Sequence, residues 1–300
     1  MGLNGRIVAV VGPTATGKSA LGLALAEALD GEVVNADSMQ LYRGMDIGTA
    51  KLTEDERLGV PHHVLDVWPV TYPAAVAEYQ QLARTAIDDV IARGRTPIVV
   101  GGSGLYVRAA LDRIDFPGTD PQLRATLEAD LEQRGAKALH DDLARRDPVA
   151  ALEILPTNGR RIVRALEVVA LTGAPFSAAL PSYEAFYDDV AFIGLDLDDS
   201  LLDWRVDQRV ANMFDGGLVE EVRALVDDGL RAGRTASRAL GYQQVLAMLD
   251  GSIEENGARS ATAHATRRFV RRQRSWFRRD PRIQWTDDPA RALALVAKPN

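Results

Sequence analysis

Short apolar runs alternate with segments of helical periodicity along the first hundred residues. The runs at 6–11, 32–35 and 96–100 are continuous and rich in β-branched residues, which is typical of buried strands. Residues 20–29 and 72–92 carry apolar side chains at helical spacing, and Gly94 follows the second segment as a helix stop. Strands that alternate with helices predict a parallel sheet covered on both faces.

The pattern changes after 116–118, a Phe-Pro-Gly sequence. Residues 120–172 are almost wholly helical, 173–189 are rich in Pro, Ser and Tyr, and 190–197 return to a strand pattern. Further helices are predicted over 201–249 and 258–279. We therefore predict a catalytic core formed by residues 1–117 and 191–300, with a mainly helical insertion domain at 118–190.

A complete P-loop pattern lies between the first strand and the first helix. It consists of Gly12, Pro13, Thr14, Ala15, Thr16, Gly17, Lys18 and Ser19. Glycines let successive backbone N–H groups turn inward, and the helix adds its positive end, so the loop can wrap a phosphate. Lys18 adds a positive charge, and the Ser19 hydroxyl can join the shell of a Mg²⁺ ion. The pattern predicts a P-loop NTPase-like α/β fold that binds a polyphosphate.

The acidic residues differ from those of an NTP hydrolase. Such enzymes usually carry an Asp at the end of a later strand to hold magnesium. Here the strand at 97–100 ends in Gly101-Gly102-Ser103, whereas Asp37 follows the second strand. In a doubly wound sheet, ligands collect at the carboxyl ends of the strands, so Asp37 is expected beside the phosphate loop.

Composition narrows the class of protein without naming a reaction. The 300 residues are 46 % hydrophobic and 26 % charged, which is ordinary for a globular enzyme. There is no cysteine, which excludes disulfides and Cys-ligated zinc. We find neither a secretory signal nor an apolar run of the roughly 20 residues needed to span a bilayer, so we expect a cytoplasmic protein without membrane contact. The net charge of −7 speaks against a nucleic-acid partner, but arginines crowd into residues 266–282.

Seven segments resemble one enzyme family, in this order along the chain: Gly12–Ser19, Asn35–Gln40, Tyr42–Lys51, Gly101–Tyr106, Arg160–Glu167, Glu220–Leu225 and Ala239–Gln244. They resemble the tRNA dimethylallyltransferases, also called tRNA isopentenyltransferases. The block from Asp46 to Lys51 is far more specific than the P-loop alone. Eukaryotic members carry a zinc finger, so a chain without cysteine is expected to be of the bacterial type.

The resemblance implies a reaction. Dimethylallyl diphosphate would occupy the phosphate loop with Mg²⁺, and the adenine 3′ to the anticodon would be flipped out of its stack. Its exocyclic N6 amine would then take the dimethylallyl group, in tRNAs that read codons beginning with U, and we expect a monomer. The main alternative is an adenylate isopentenyltransferase that uses free AMP or ATP. A P-loop nucleotide kinase and a non-enzymatic RNA-binding protein are weaker alternatives.

The resemblance also assigns catalytic residues. Asp37 would be the general base for the amine; the alternatives are capping of the Ser38 turn or a water-mediated magnesium contact. Thr14 would contact the bridging oxygen of the diphosphate, or else cap a turn. Arg223 would place a second positive charge on the diphosphate, or else lie solvated on its helix.

A larger set is expected at the tRNA: Asp37, Ser38, Met39, Gln40, Ser103, Arg124, Arg161, Arg164, Arg238, Gly241, Tyr242 and Gln243. Arg161 and Arg164 share a helix face and could bind phosphates or stack on splayed bases. Their alternative is pairing with Glu167, and for Tyr242 it is core packing.

The arginine-rich helix at 267–279 also contains aromatic and aliphatic residues at helical spacing, which we expect to anchor it to the core. Its arginines could then follow a tRNA backbone or form a merely solvated face.

Overall fold

The fold was examined in a computed structural model, which describes residues 6–176 and 183–296. Within these residues the chain forms one sheet with the strand order β3-β2-β4-β1-β5-β6, in which every pairing is parallel. The strands are β1 (Ile7–Val11), β2 (Gly31–Asn35), β3 (His62–His63), β4 (Thr96–Gly101), β5 (Val190–Leu195) and β6 (Ile283–Thr286).

Helices connect the strands. They are α1 (Lys18–Ala28), α2 (Val76–Ala92), α3 (Gly104–Leu111), α4 (Pro121–Arg146), α5 (Pro148–Glu153), α6 (Gly159–Thr172), α7 (Asp199–Asp215), α8 (Leu218–Asp227), α9 (Tyr242–Leu249), α10 (Glu255–Phe277) and α11 (Pro289–Val296). None of the described helices is long and apolar enough to cross a membrane.

The core is centred on β1, whose five residues are all buried. Its neighbours are β4 and β5, so the β-branched side chains of three adjacent strands pack against helices on both faces. On one face, α1 contributes Leu21 and Leu25 to a cluster with Val8, Val10 and Ile98. This packing fixes the carboxyl edge of β1 and therefore the position of the phosphate loop.

The predicted α/β fold is confirmed, and each predicted strand and helix has a counterpart within a few residues of its expected bounds. The pattern analysis did not predict β3, α3, β6 or α11. These four elements have two to eight residues, which is too short for a periodic pattern to stand out.

The chain divides into two compact units, with the cuts between Asp112 and Arg113 and between Glu184 and Ala185. The expected insertion began at residue 118 and ended at 190. The second cut comes earlier because backbone and side-chain hydrogen bonds tie the segment after it to the core: Phe186 N donates to the Leu111 carbonyl, and the Tyr187 hydroxyl donates to Asp88.

The second unit is built from α4, α5 and α6 around a small apolar core that includes Leu139, Leu143 and Ile162. Helix α4 is interrupted at Gly135, which has φ +79°. Gly173 ends α6 in the left-handed conformation, as a C-terminal glycine commonly does.

Candidate active site

The phosphate loop joins β1 to α1, and glycine is required at two of its positions. Gly12 has φ +135°, and a Cβ atom there would lie 2.2 Å from the carbonyl oxygen of Leu195. Gly17, with φ +96°, immediately precedes α1. Residues with side chains rarely adopt these angles. The two glycines let the loop fold back in front of the helix amino terminus, where backbone N–H groups can bind an anion.

Polar side chains of the loop are held by the Pro13 carbonyl oxygen. Thr16 Oγ1 donates to it over 2.9 Å and Lys18 Nζ over 2.6 Å. Burial lowers the pKa of Lys18 from 10.5 to about 7, and the charge of Arg209 adds to this shift while that of Asp37 opposes it. The charges of Lys18 and Arg209 therefore lie close together at the loop, and an anion bound there would relieve their repulsion.

Asp37 lies at the end of β2, beside this cationic group. It is half-buried, and its Oδ1 accepts a hydrogen bond from the Met39 amide over 2.9 Å. The Asp37 amide donates in turn to Asn35 Oδ1. The negative charge of the carboxylate offsets part of the lowering that burial imposes on the pKa values of Lys18 and Arg209. The turn-capping role expected as an alternative is present, but it uses only one of the two carboxylate oxygens.

Two uncharged tyrosines, Tyr79 and Tyr106, lie near Asp37. Tyr79 is completely buried and donates its hydroxyl to the Asn35 carbonyl oxygen over 2.9 Å. Its ring centroid is 4.6 Å from that of Tyr106. Burial, then the charges of their neighbours including Asp37, raise the pKa of both phenols well above 10. Neither tyrosine can act as an anionic base in this setting.

The ends of β2 and β4 bring Ser38 and Ser103 together. Ser103 Oγ accepts a hydrogen bond from the Ser38 amide and donates to the Ser38 hydroxyl, both over 3.2 Å. The two strands approach so closely that a Cβ at Gly101 would lie 2.2 Å from the Ala36 carbonyl oxygen. Asp37, Ser38 and Ser103, predicted from separate motifs, therefore share one edge of the sheet.

A pocket opens at the same edge, lined by Ser19, Val33, Asn35, Gln40, Leu52, His62, Leu65 and Val100. Ser19 is exposed at the start of α1, and Gln40 donates Nε2 to the Thr49 carbonyl oxygen over 3.2 Å. Met39 is half-buried between Asp37 and Gln40. The predicted Mg²⁺ ligand therefore faces open space next to residues expected at the tRNA.

Two arginines of α7, which the sequence analysis missed, also face the phosphate loop. Arg205 Nη1 lies 3.5 Å from the Ala15 carbonyl oxygen, and Arg209 Nη2 donates to the Thr49 carbonyl oxygen over 3.1 Å. Burial lowers the pKa of Arg209, and Asp37 opposes the shift. Their spacing of four residues on a helix that follows a strand was the available signal. Arg209 is half-buried, and its charge acts on both Lys18 and Asp37.

Arg223 has a different environment. Its side chain is 60 % exposed on α8 and its nearest carboxylate is that of Glu220, 3.6 Å away. The arginine whose charge acts on Lys18 and Asp37 is Arg209. The structure therefore gives Arg223 the solvated helix position that the sequence analysis left open.

The Asp46–Lys51 block is a fixed loop. Glu221 of α8 accepts hydrogen bonds from the amides of Asp46 and Ile47, over 3.1 and 2.7 Å. Lys51 is buried and pairs with Asp46 over 2.6 Å and with Asp66 over 2.5 Å. These contacts fix the backbone of the block through Glu221 and tie its two ends together through the ion pair between Asp46 and Lys51.

Gln273 of α10, also missed from the sequence, connects the phosphate loop to the end of β4. Its Oε1 accepts a hydrogen bond from the Thr14 amide over 2.9 Å, and its Nε2 donates to the Gly102 carbonyl oxygen over 2.8 Å. The side chain is only 5 % exposed, and a Cβ at Gly102 would lie 2.4 Å from Nε2. Gln273 thus fixes the backbone of Thr14, the residue that carries the predicted donor hydroxyl.

The later motif separates into buried and exposed residues. Tyr242 is completely buried and donates its hydroxyl to Glu221 Oε1 over 2.5 Å, which is the packing position that the sequence left open. Gly241 is buried with φ +87° before α9. Arg238 and Gln243 are exposed. Only these last two present side chains that a large ligand can reach.

In the helical unit, two of the three predicted arginines converge on one carboxylate. Glu167 is completely buried and accepts from Arg164 Nη1 over 2.7 Å and from Arg124. Burial raises the pKa of Glu167, but the two arginines outweigh it and the net shift is downward. Arg164 also donates to the Pro117 carbonyl oxygen over 2.6 Å, whereas Arg161 is exposed on the same helix. The expected pairing alternative is therefore present for Arg164.

A phosphate loop on a parallel sheet places the chain among the P-loop α/β proteins. The family model described as IPP transferase matches residues 40–280. The chain belongs to the IPP transferase family, which confirms the resemblance seen in its motifs.

Relatives and solved structures support the same assignment. The tRNA dimethylallyltransferase of Salinispora tropica is 66 % identical, over 98 % of this chain and 92 % of the relative. That of Streptomyces coelicolor is 62 % identical, over 98 % and 96 %. The tRNA isopentenylpyrophosphate transferase structure from Staphylococcus epidermidis is 32 % identical with a TM-score of 0.70, and covers 97 % of this chain and 96 % of its own. A eukaryotic dimethylallyltransferase acting on tRNA has a TM-score of 0.81 at 26 % identity, with 96 % and 78 % covered.

Proposed function

We propose that this protein transfers a dimethylallyl group from dimethylallyl diphosphate to N6 of the adenine 3′ to the anticodon, in tRNAs that read codons beginning with U. Diphosphate is released. The observation that carries the proposal is the position of the Asp37 carboxylate, whose charge acts on the two half-buried cations Lys18 and Arg209 beside the phosphate loop. A proton acceptor and an anion site thus lie together at the carboxyl edge of the sheet.

Lys18, Arg209 and the amides of the phosphate loop would bind and stabilise the leaving diphosphate. The N6 nitrogen forms a bond to the allylic C1, the C1–O bond breaks, and both electrons leave with the diphosphate. Lys18, Arg209 and the loop amides offset this developing charge, which is where fixed positive groups lower a barrier most. Thr14 would donate its hydroxyl to the bridging oxygen.

Asp37 would take the proton that N6 loses. One carboxylate oxygen holds the Met39 amide, which fixes the orientation of the group, while the second is available to the incoming amine. The adenine must leave its stack to reach this oxygen, at a cost of a few kcal/mol. Ser38 and Ser103, which are bonded to each other beside Asp37, are suited to contact the flipped nucleotide.

We expect Mg²⁺ to bind at this site mainly through the phosphates of the substrate. Among the described residues, no group of three or more His, Asp or Glu side chains could hold a metal ion by itself. Mg²⁺ commonly keeps several waters and binds through one or two protein oxygens plus substrate phosphates, so an exposed Ser19 hydroxyl at the loop is a suitable protein ligand. Bound there, the ion would neutralise charge on the leaving diphosphate.

The assay uses unmodified tRNA, radiolabelled dimethylallyl diphosphate and Mg²⁺, followed by nuclease digestion and chromatography of the nucleosides. We expect the label on one adenosine of the anticodon loop. Label on AMP or ATP but not on tRNA would indicate an adenylate isopentenyltransferase, and phosphate transfer from ATP would indicate a kinase. Lys18→Met is the control, because it removes the loop cation and should abolish transfer.

We also propose that the enzyme works as a monomer in the cytoplasm, where its tRNA substrate is found. Light scattering with and without tRNA tests the first point, since a monomer should bind one tRNA at the mass of a 1:1 complex.

A further inference from the structure

Three motifs of the sequence meet at one side chain outside the proposed reaction, the carboxylate of Glu221 on α8. Its Oε2 accepts hydrogen bonds from the amides of Asp46 and Ile47 over 3.1 and 2.7 Å. Its Oε1 accepts from the Gly48 amide over 3.3 Å and from the Tyr242 hydroxyl over 2.5 Å. Three successive backbone amides therefore converge on one carboxylate, as they do in an anion-binding nest.

Glu221 and Tyr242 together hold the segment 46–51, which we call the 46–51 loop. A Cβ atom at Gly48 would lie 2.4 Å from the Tyr242 ring, so a glycine is needed for the loop to pack this closely on the ring. At the other end of the loop, Lys51 is buried and pairs with Asp46 over 2.6 Å. The loop is thus held in one conformation by residues of α8 and α9.

The 46–51 loop presents the Thr49 carbonyl oxygen to the site. This oxygen accepts hydrogen bonds from Arg209 Nη2 over 3.1 Å and from Gln40 Nε2 over 3.2 Å, and its two lone pairs can serve both donors. Thr49 is buried, and its hydroxyl donates to the Met45 carbonyl oxygen over 2.6 Å. The direction of the Arg209 guanidinium therefore depends on an acceptor that Glu221 helps to place.

The orientation of Arg209 matters because its donors lie in one plane. When one nitrogen of a guanidinium is bonded, the directions of the remaining N–H groups follow from it. With Nη2 held by Thr49, the other donors of Arg209 are available to an anion at the phosphate loop, where the charge of Arg209 acts on Lys18. A displacement of about 1 Å in such a group can cost about 100-fold in rate.

We propose that Glu221 is a positioning residue for prenyl transfer, which orients the Arg209 guanidinium through the Thr49 carbonyl oxygen without contacting the substrate. The inference rests on the proposed function, in which Arg209 stabilises the leaving diphosphate. It gives a common role to Glu221, Tyr242 and the 46–51 loop, which belong to three separate motifs of the sequence.

A double-mutant cycle separates this role from a structural one. The variants are Glu221→Gln, Arg209→Ala and the two combined, and the readouts are the single-turnover rate of transfer to tRNA and the affinity for pyrophosphate by calorimetry. We expect Glu221→Gln to react about tenfold more slowly than the wild type and Arg209→Ala about 100-fold more slowly. The double variant should be within about twofold of Arg209→Ala, whereas independent effects would multiply to about 1000-fold.

Two control variants show whether a change of charge or of stability alone slows the reaction. Glu220→Gln alters the neighbouring, exposed carboxylate, and Ile87→Val removes a methylene group from the buried face of α2. Both should transfer the prenyl group at the wild-type rate. Tyr242→Phe keeps the ring but removes the hydroxyl that donates to Glu221, so it tests the same path if Glu221→Gln does not fold. It should give the same pattern with a smaller loss.

The pyrophosphate titrations should repeat the pattern, because a displaced Arg209 also binds the product less well. The proposal would be overturned if Glu221→Gln slowed transfer tenfold in the Arg209→Ala background as well, or if it left the rate of the wild type unchanged. A loss of rate in Ile87→Val as large as that in Glu221→Gln would overturn it too. Failure of the proposed function is distinguishable, because the wild type would then transfer no prenyl group to tRNA while the titrations would still report the coupling between Glu221 and Arg209.

Discussion

Gln273 offers a sharp test of how the phosphate loop is held in place. It is the buried link between the Thr14 amide and the Gly102 carbonyl oxygen. Gln273→Leu keeps the approximate volume of the side chain but removes its donor and its acceptor. Both backbone groups are then left without their protein partner.

The magnitude follows from the burial of the two bonds. A buried polar group that loses its partner costs about 1–3 kcal/mol. The bond to Gly102 is buried and should lose an amount within that range, whereas the partly buried Thr14 amide can regain water and should lose less. We therefore expect the free energy of unfolding to fall by about 2–4 kcal/mol. Pyrophosphate affinity should fall as well, because the freed loop must be ordered again on binding.

Urea unfolding and isothermal titration with pyrophosphate measure the two effects. Gln133→Leu on an exposed position of α4 is the control for adding an apolar side chain, and it should change neither quantity. Gln273→Glu retains an acceptor for Thr14 but faces the Gly102 oxygen with a carboxylate, so it should recover no more than part of the loss at neutral pH. A Gln273→Leu protein with unchanged stability and pyrophosphate affinity would refute the positioning role.

Three further predictions follow from the site. Arg209→Ala should lower kcat for prenyl transfer by about 100-fold or more, the loss typical of a missing charge stabiliser, whereas Arg223→Ala should change it less than tenfold; steady-state kinetics that show the reverse would restore Arg223 as the second cation. Because the pKa of Lys18 is about 7 in the folded protein and 10.5 unfolded, pyrophosphate affinity should decrease as pH rises above 7 by more in the wild type than in Lys18→Arg, as titration from pH 6 to 9 would show. The unfolded chain binds more protons at Lys18 between about pH 7 and 10.5, so this residue makes stability increase with pH in that window; a wild-type increase no greater than that of Lys18→Met would contradict the shifted pKa. Glu221→Gln should reduce the free energy of unfolding by about 2–3 kcal/mol, because its hydrogen bonds to Ile47 and Tyr242 become weaker. The control is Glu220→Gln, whose side chain is 70 % exposed and which should change the free energy of unfolding by less than about 0.5 kcal/mol. Equal losses in urea unfolding would show that the 46–51 loop does not depend on Glu221.

The sequence predicted those parts of the site that local motifs encode. A P-loop pattern specifies its own backbone geometry, so the sequence predicted both the role of Gly12 and Lys18 and their place in the phosphate loop. Asp37 and Ser103 follow apolar strands, and parallel strands bring such residues to one edge. Strand and helix periodicity also predicted the α/β fold.

The residues that were missed act across long sequence separations. Gln273 is hydrogen-bonded to Thr14, which is 259 positions away in the sequence, and Arg209 is hydrogen-bonded to Thr49, which is 160 positions away. No local pattern distinguishes such side chains from solvated ones. The exposed environment of Arg223 could not be predicted from the sequence for the same reason, since the exposure of a helical side chain depends on what packs against it. Arg267 and Arg274 of α10 pair with Asp207 of α7 and with Asp196 after β5, and the sequence could not identify these partners.

The central claim concerns the carboxylate of Asp37, and Asp37→Asn tests it most directly. Asparagine keeps an oxygen for the Met39 amide and so preserves the turn, but it cannot take a proton from the adenine amine. In single-turnover transfer from dimethylallyl diphosphate to tRNA, the variant should react at least 100-fold more slowly while its tRNA and pyrophosphate affinities stay within about threefold of the wild type. A variant that transfers the prenyl group at the wild-type rate, or one that loses tRNA binding in place of the chemical step, would contradict the account.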